Sequence, residues 1–447
     1  MPHQDQQDVA TNLPALKAVF ETILPPEIDS FVRHGNATIK PVSLAAIAIT
    51  CWGWTLGGTL DERMATAHAV VKRVLGGGPK TVSRQGLMNA LATCGGDLIE
   101  LIVAGFVTQL SQLKSSWTHG GKVNLAVDGS KFSAPRTAAN QSCFAANARK
   151  RAGKTYEKRA DHSKARTVQL LVTVFWHLGT GMPVRWRVNQ SSGSERNDVR
   201  QMLTKLPPAA RLIGDAEYVG YPLWSAIIES RKSFLFRVGS NVRLLKHLGR
   251  LRIRDGYVYY WPERSMRDRL PPIVLRLIKI HSGKKAIYLV SNELDMTDEL
   301  ACQLYRQRWG IEVFFRSVKQ SCQRSKLCCG VPQNVTTELN WTLIGIWAAI
   351  FTGKKCLQDQ QLSPHRLSPV KVIRAFYATT TAVAIRAVNA PLLVKLLRNA
   401  ILADESSRTR SKSSRNYPRK KKHKRCGKPK ILQATITQKR NAKIFLQ

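Results

Sequence analysis

The residue types best suited to chemistry gather at three places in the chain. Asp128 and Asp215 each close a short apolar run, VNLAVD at 123–128 and ARLIGD at 210–215, and each precedes a small residue. Glu312 lies in the string YRQRWGIEVFFRSVK at 305–319. Carboxylates from two strand ends and one helix make a site for hard cations. Mg²⁺ takes oxygen ligands and keeps positions open for water and phosphate oxygens. Two such ions can activate a water or a 3′-hydroxyl and stabilise the leaving oxygen in an in-line displacement at phosphorus. Taken singly, each aspartate also suits the start of a turn. Glu217 is a rival for Asp215, but it has already left the apolar run.

The third acid has a patterned neighbourhood. At about 100° per residue, Tyr305, Arg308, Glu312, Arg316 and Lys319 share a helical arc of roughly 80°. Leu300, Leu304, Ile311, Phe315 and Val318 form the adjoining core stripe. One reading is a solvated face with intrahelical pairs Arg308–Glu312 and Glu312–Arg316. The other is a metal ligand carried among phosphate-gripping groups, Arg308 with a planar fork and Lys319 as a point charge.

The elements that must position these residues are legible in outline. Residues 1–118 read as a helical N-terminal region, broken by Gly76-Gly77-Gly78-Pro79. In 119–239 come three strands (the second and third a hairpin across Gly179 and Gly181), a helix opened by Ser194, a fourth strand, a helix and a fifth strand. That order makes a mixed α/β sheet. Residues 240–296 form a second β-rich zone, with Asp255-Gly256 as a hairpin signal. In 297–403 long helices are expected over 297–320 (capped by Thr297), 333–356 and 369–398. The apolar run at 341–351 is too short for a membrane span of roughly 20 residues and reads as a buried helix. Residues 404–447 are low in apolar side chains and are expected to be a basic, largely disordered tail.

Charge points to the partner. The chain of 447 residues has 70 Lys and Arg against 29 Asp and Glu, an excess of +41. Twelve of the basic residues lie in 408–430, and without them the body still carries +29. Nucleic acid is the commonest polyanion to meet such a surface. A second basic stretch, 149–166, suits either a loop over the DNA backbone or a solvated surface loop. Nine scattered cysteines fit a reducing cytoplasm better than a disulfide framework. Cys322, Cys328, Cys329 and Cys356 lack the paired spacing of a zinc site, and no role is read for His423 or Cys426 in the tail. The N-terminus shows no signal-peptide pattern, and no membrane association is expected.

The string at 305–319 resembles the Y-x2-R-x3-E-x6-K signature of DDE transposases from bacterial insertion sequences, the insertion sequence 4 type. VNLAVDGSKF and RLIGDAEYVGYPLW resemble the segments carrying that family's two aspartates, and the likeness spans about residues 120–355. The resemblance implies an RNase H-like catalytic core with a β-rich insertion between the second Asp and the Glu. It maps the catalytic, metal-holding acids onto Asp128, Asp215 and Glu312, with two Mg²⁺ ions for which Mn²⁺ substitutes. It maps DNA-end contacts onto Tyr305, Arg308 and Lys319. Arg316 joins them from the wheel alone. Trp309 either stacks on a base or sugar or packs beside the sheet. Trp261 is either the insertion aromatic that receives a flipped base or one of a hairpin pair with Tyr259 or Tyr260. The N-terminal region would recognise the element ends. The implied activity is hydrolysis at the ends of a mobile element and strand transfer into target DNA, by a homodimer on double-stranded DNA, cytoplasmic and nucleoid-associated when bound. The rival readings are a basic DNA-binding protein without catalysis and an RNase H-like nuclease without strand transfer.

Overall fold

The computed structural model describes residues 4–30, 39–76, 83–112, 117–144, 168–250, 256–282, 285–362, 366–387, 390–401 and 426–446. Its strands are β1 (Val123–Ser133), β2 (Gln169–His177), β3 (Met182–Gln190), β4 (Ala210–Gly214), β5 (Ser233–Val238), β6 (Arg243–Lys246), β7 (Tyr257–Tyr260), β8 (Ile273–Ser282), β9 (Lys285–Ser291) and β10 (Lys430–Gln433). Among the described residues all ten join one sheet, in the order β10-β6-β7-β8-β9-β5-β4-β1-β2-β3. β1, β2 and β3 run antiparallel to one another, and Gly181 takes the left-handed turn conformation between the last two. β4 lies parallel to β1, and β5 parallel to β4. Parallel strands are covered on both faces, which is why β4 and β5 read as nearly unbroken apolar runs. The charged exception, Arg211 on β4, is buried and bonds Asn124 of β1 at 2.9 Å and Glu293 at 2.9 Å.

The β-rich zone at 240–296 continues this sheet. β9 pairs antiparallel with β5, and β8, β7 and β6 follow outward. Gly256, at φ 84°, takes the turn that opens β7, and Asp255 lies outside the described residues.

The helices are α1 (Gln4–Ile23), α2 (Pro41–Ile49), α3 (Leu60–Leu75), α4 (Arg84–Ser111), α5 (Ala138–Phe144), α6 (Glu195–Met202), α7 (Tyr221–Glu229), α8 (Glu263–Arg267), α9 (Asp298–Gln307), α10 (Trp309–Arg316), α11 (Pro332–Asp359), α12 (Pro369–Ile385), α13 (Leu393–Arg398) and α14 (Ile436–Ala442). The apolar run at 341–351 is the buried middle of α11. α4 is long and apolar enough by composition to cross a bilayer. Its Leu98, Ile102 and Phe106 are buried, and Phe106 stacks on Trp347 of α11 at 4.5 Å, as in a core helix. The turn at Thr50–Trp54, just after α2, meets α11 with no side chain between them. A Cβ on Gly53 would stand 2.4 Å from the Cα of Gly345. The Trp54 indole donates to the Gly345 carbonyl at 2.9 Å, and buried Arg324 donates to the carbonyls of Trp52 and Thr55. One apolar cluster accordingly runs from Leu16 to Ala400 and takes in both the N-terminal helices and the sheet.

Three expectations need correction. The helix expected over 297–320 is divided at Arg308 and ends in a wider π turn, Ser317–Ser321. The helix expected over 369–398 stops at Ile385, where Arg386 turns left-handed at φ 55°. Pro391, which has no N–H to donate, precedes the short α13. The tail expected to be disordered from 404 folds over 426–446. β10 pairs parallel with β6, and Thr435 caps α14 in a reciprocal capping box. Ala434 and Ala442 there close a small second core with Leu245, Leu248, Tyr259 and Trp261. Residues 402–425, with most of the basic run and His423, lie outside the described residues, as does the basic stretch 149–166.

Candidate active site

Parallel pairing brings the two aspartates to one edge. Ala126 of β1 sits opposite Ile213 of β4, and each acid lies two residues further along its strand. Asp128 stays in β1, opposite Val174 of β2, and accepts from the Gly129 amide at 3.0 Å. Asp215 leaves β4 and caps the turn Ala216–Tyr218, accepting from the Glu217 amide at 2.8 Å. Glu217 itself is exposed. Burial pushes the Asp128 carboxyl up to about 7. The negative charges of Asp215 and Glu195 add to that push, and Arg308 opposes it.

Glu195 is the residue that sequence reasoning missed. It opens α6, and its carboxyl fills the space that a side chain on Gly129 would need, where a Cβ would lie 2.2 Å from its carboxyl carbon. The hydroxyl of fully buried Tyr218 donates to it at 2.6 Å. Burial also raises the Glu195 pKa. The available signal was weak, because an acid in a helix's first turn is ordinary dipole chemistry. Ser194 holds the N-cap position there, but its side chain makes no capping bond. At α9 the expected cap is present, with the Thr297 hydroxyl accepting from the Leu300 amide at 3.2 Å.

The signature string supplies the other wall. Arg308 donates to Glu312 at 2.7 Å and lies 5.5 Å from the Tyr305 ring centre. The same guanidinium faces Asp128 electrostatically, so it links the strand acid to the helix acid. Burial raises the Tyr305 pKa. The π turn carries Lys319 back to β1, where it donates to the Ser130 hydroxyl at 2.7 Å and sits 5.0 Å from the Phe132 ring centre. Burial lowers its pKa, and Asp128 opposes that shift. Arg316 is exposed and makes no ion pair among the described residues. Trp309 is 54% exposed, which removes the reading in which it packs beside the sheet. Its neighbour Gly310 lies there instead, against the Trp176 ring. Trp261 is buried, donates to the Leu270 carbonyl at 2.8 Å and meets Phe445 edge-on, so it is not presented to a base.

As the side chains stand, no three Asp, Glu, His or Cys groups among the described residues converge closely enough to hold a metal ion. Asp128, Asp215 and Glu195 share one pocket edge, while Glu312 is turned to Arg308. Among the cysteines, Cys328 and Cys329 present backbone amides to the buried Glu338 carboxylate, a structural contact, and Cys426 packs on Gly239.

Among solved structures, the chain is similar to a piggyBac transposase determined by cryo-electron microscopy in a synaptic complex with hairpin DNA. The two share 12% identity over 89% of this chain and 83% of that one, with a TM-score of 0.39. No curated protein matches the sequence. The family described as the transposase DDE domain matches residues 119–347, a span that opens just before β1, holds all three acids and ends inside α11. The chain belongs to the DDE-domain transposases.

Proposed function

We propose that this chain is the transposase of a bacterial insertion sequence of the type carrying Y-x2-R-x3-E-x6-K. In this reading it cleaves phosphodiesters at the ends of its element and joins the freed 3′-hydroxyl to target DNA. The observation that carries the reading is the convergence of Asp128 and Asp215 on one edge of the sheet, linked by Arg308 to Glu312. Strands ordered 3-2-1-4-5, with the acids beyond the ends of the β1–β4 pairing, also support an RNase H-like core, with residues 240–296 as the insertion. The donors suit hard cations. They are carboxylates, and the strong upward push on Asp128 reflects negative charge packed into a partly dry pocket.

Asp128, Asp215 and Glu312 would hold two Mg²⁺ ions, or Mn²⁺ in their place. When bound, such ions activate the attacking oxygen and stabilise the leaving one. Glu312 joins them by releasing Arg308, and the freed guanidinium fork then meets a phosphate. Tyr305 stays beneath that fork. Lys319, anchored on Ser130, places a point charge beside Asp128. Exposed Trp309 offers a face for a base or sugar, and Arg316 an outer phosphate contact. The N-terminal helices recognise the element ends, and two copies hold two ends together. The protein works in the cytoplasm, on the nucleoid.

Labelled element ends and a target plasmid test this. With Mg²⁺, the wild type is expected to yield cleaved and joined products, and Asp128→Ala, Asp215→Ala and Glu312→Ala neither. Nicked ends without joined products would favour a nuclease. Binding without cleavage would favour a non-catalytic DNA-binding protein, and full activity in any of the three variants would remove that acid from the site.

A further inference from the structure

The carboxylate of Glu195 stands beside Asp128 and Asp215 with no cation of its own. It makes no ion pair among the described residues, unlike Glu312, which has Arg308, and Glu293, which has Arg211. One oxygen is held by Tyr218, a fully buried side chain whose hydroxyl meets this carboxylate. The other oxygen is left to the pocket. Gly129 has no side chain, and the carboxyl carbon occupies the vacated space directly beside Asp128. A glutamate serving only the helix dipole of α6 could sit in water at no cost. This one is turned inward among like charges, an arrangement that is unfavourable unless a cation offsets it.

We propose that Glu195 is a fourth carboxylate of the cation site, ligating a divalent ion together with Asp128 and Asp215, with Tyr218 as its positioning residue. The proposal rests on the metal-dependent reading above and deepens it. Tyr218 fixes the carboxylate's orientation as outer hydrogen bonds commonly do for metal ligands. Gly129 keeps the approach open. Two strand ends and the start of α6 then make a three-sided cup, and Glu312 closes it from α10.

Mn²⁺ binding to the full chain without DNA, followed by calorimetry and by the loss of the free-ion paramagnetic resonance signal, tests this apart from activity. Glu195→Gln is expected to weaken Mn²⁺ binding by about tenfold or more, and Tyr218→Phe by less, with the melting temperature of the metal-free protein held. Asp128→Asn and Asp215→Asn serve as references. If both references lose Mn²⁺ while Glu195→Gln and Tyr218→Phe bind as the wild type does, Glu195 is not a ligand and the three-acid reading stands. If none of the variants loses Mn²⁺, the cation site itself is wrong. Should Glu195→Gln fail to fold, Tyr218→Phe decides: unchanged binding overturns the proposal.

Discussion

Asp128 combines a demanding position with a demanding charge. Its folded-state pKa of about 7 lies well above the ordinary 3.8, so the folded protein holds a proton that the unfolded chain has lost. The resulting cost to stability begins as pH rises past the unfolded value and is complete above about 7. Asp128→Asn removes it. The variant is expected to match the wild type near pH 4 and to exceed it by about 1–3 kcal/mol at about pH 8, while losing cleavage. Urea unfolding at the two pH values measures this, and a gap that does not grow with pH would refute it. Both aspartates are legible in the sequence because each terminates an apolar run. Glu195 is not, because its neighbours Gly129 and Tyr218 come from β1 and from the turn after β4, far from it along the chain.

At the level of elements, the wall opposite the sheet depends on how closely α10 can approach β2. Gly310 makes that approach, since a Cβ there would fall 2.1 Å from the Trp176 ring. Gly310→Ala is expected to lower stability by about 1–3 kcal/mol through overpacking and to impair cleavage by moving Glu312. Combining it with Trp176→Leu should recover part of both, as read by thermal melts and end-cleavage rates. Equal stability of Gly310→Ala and wild type would contradict the packing. The wheel over 305–319 brings Tyr305, Arg308 and Glu312 together, and they do meet. The break at Arg308 and the π turn lie beyond its reach, because a wheel assumes an unbroken period, whereas packing on the sheet sets where the helix yields. That turn is what carries Lys319 to Ser130.

For the whole molecule, the excess of +41 is a prediction about salt. Deleting residues 408–425 removes ten Lys and Arg and leaves β10 and α14 in the chain. It is expected to flatten the salt dependence of DNA binding, by about 0.9 in the log–log slope for each phosphate no longer neutralised, with the melting temperature unchanged. An unchanged slope would assign the affinity to the folded body. The strand order from β1 to β5 is readable in the sequence, because those runs are apolar and bounded by turns. The last strand is not. Leu432 is 44% exposed in β10, and the segment's order comes from the β6 edge and the second core, partners remote in sequence.

The meeting of Gly53 with Gly345 has a mechanical consequence. Two helical segments in backbone contact have no side chains between them to change rotamer and absorb a shear. The junction acts as a pivot that resists sliding, and the bonds from Trp54 and Arg324 pin it against rotation. Torque applied to the N-terminal helices by a bent or twisted duplex therefore passes undamped into α11 and on to the sheet.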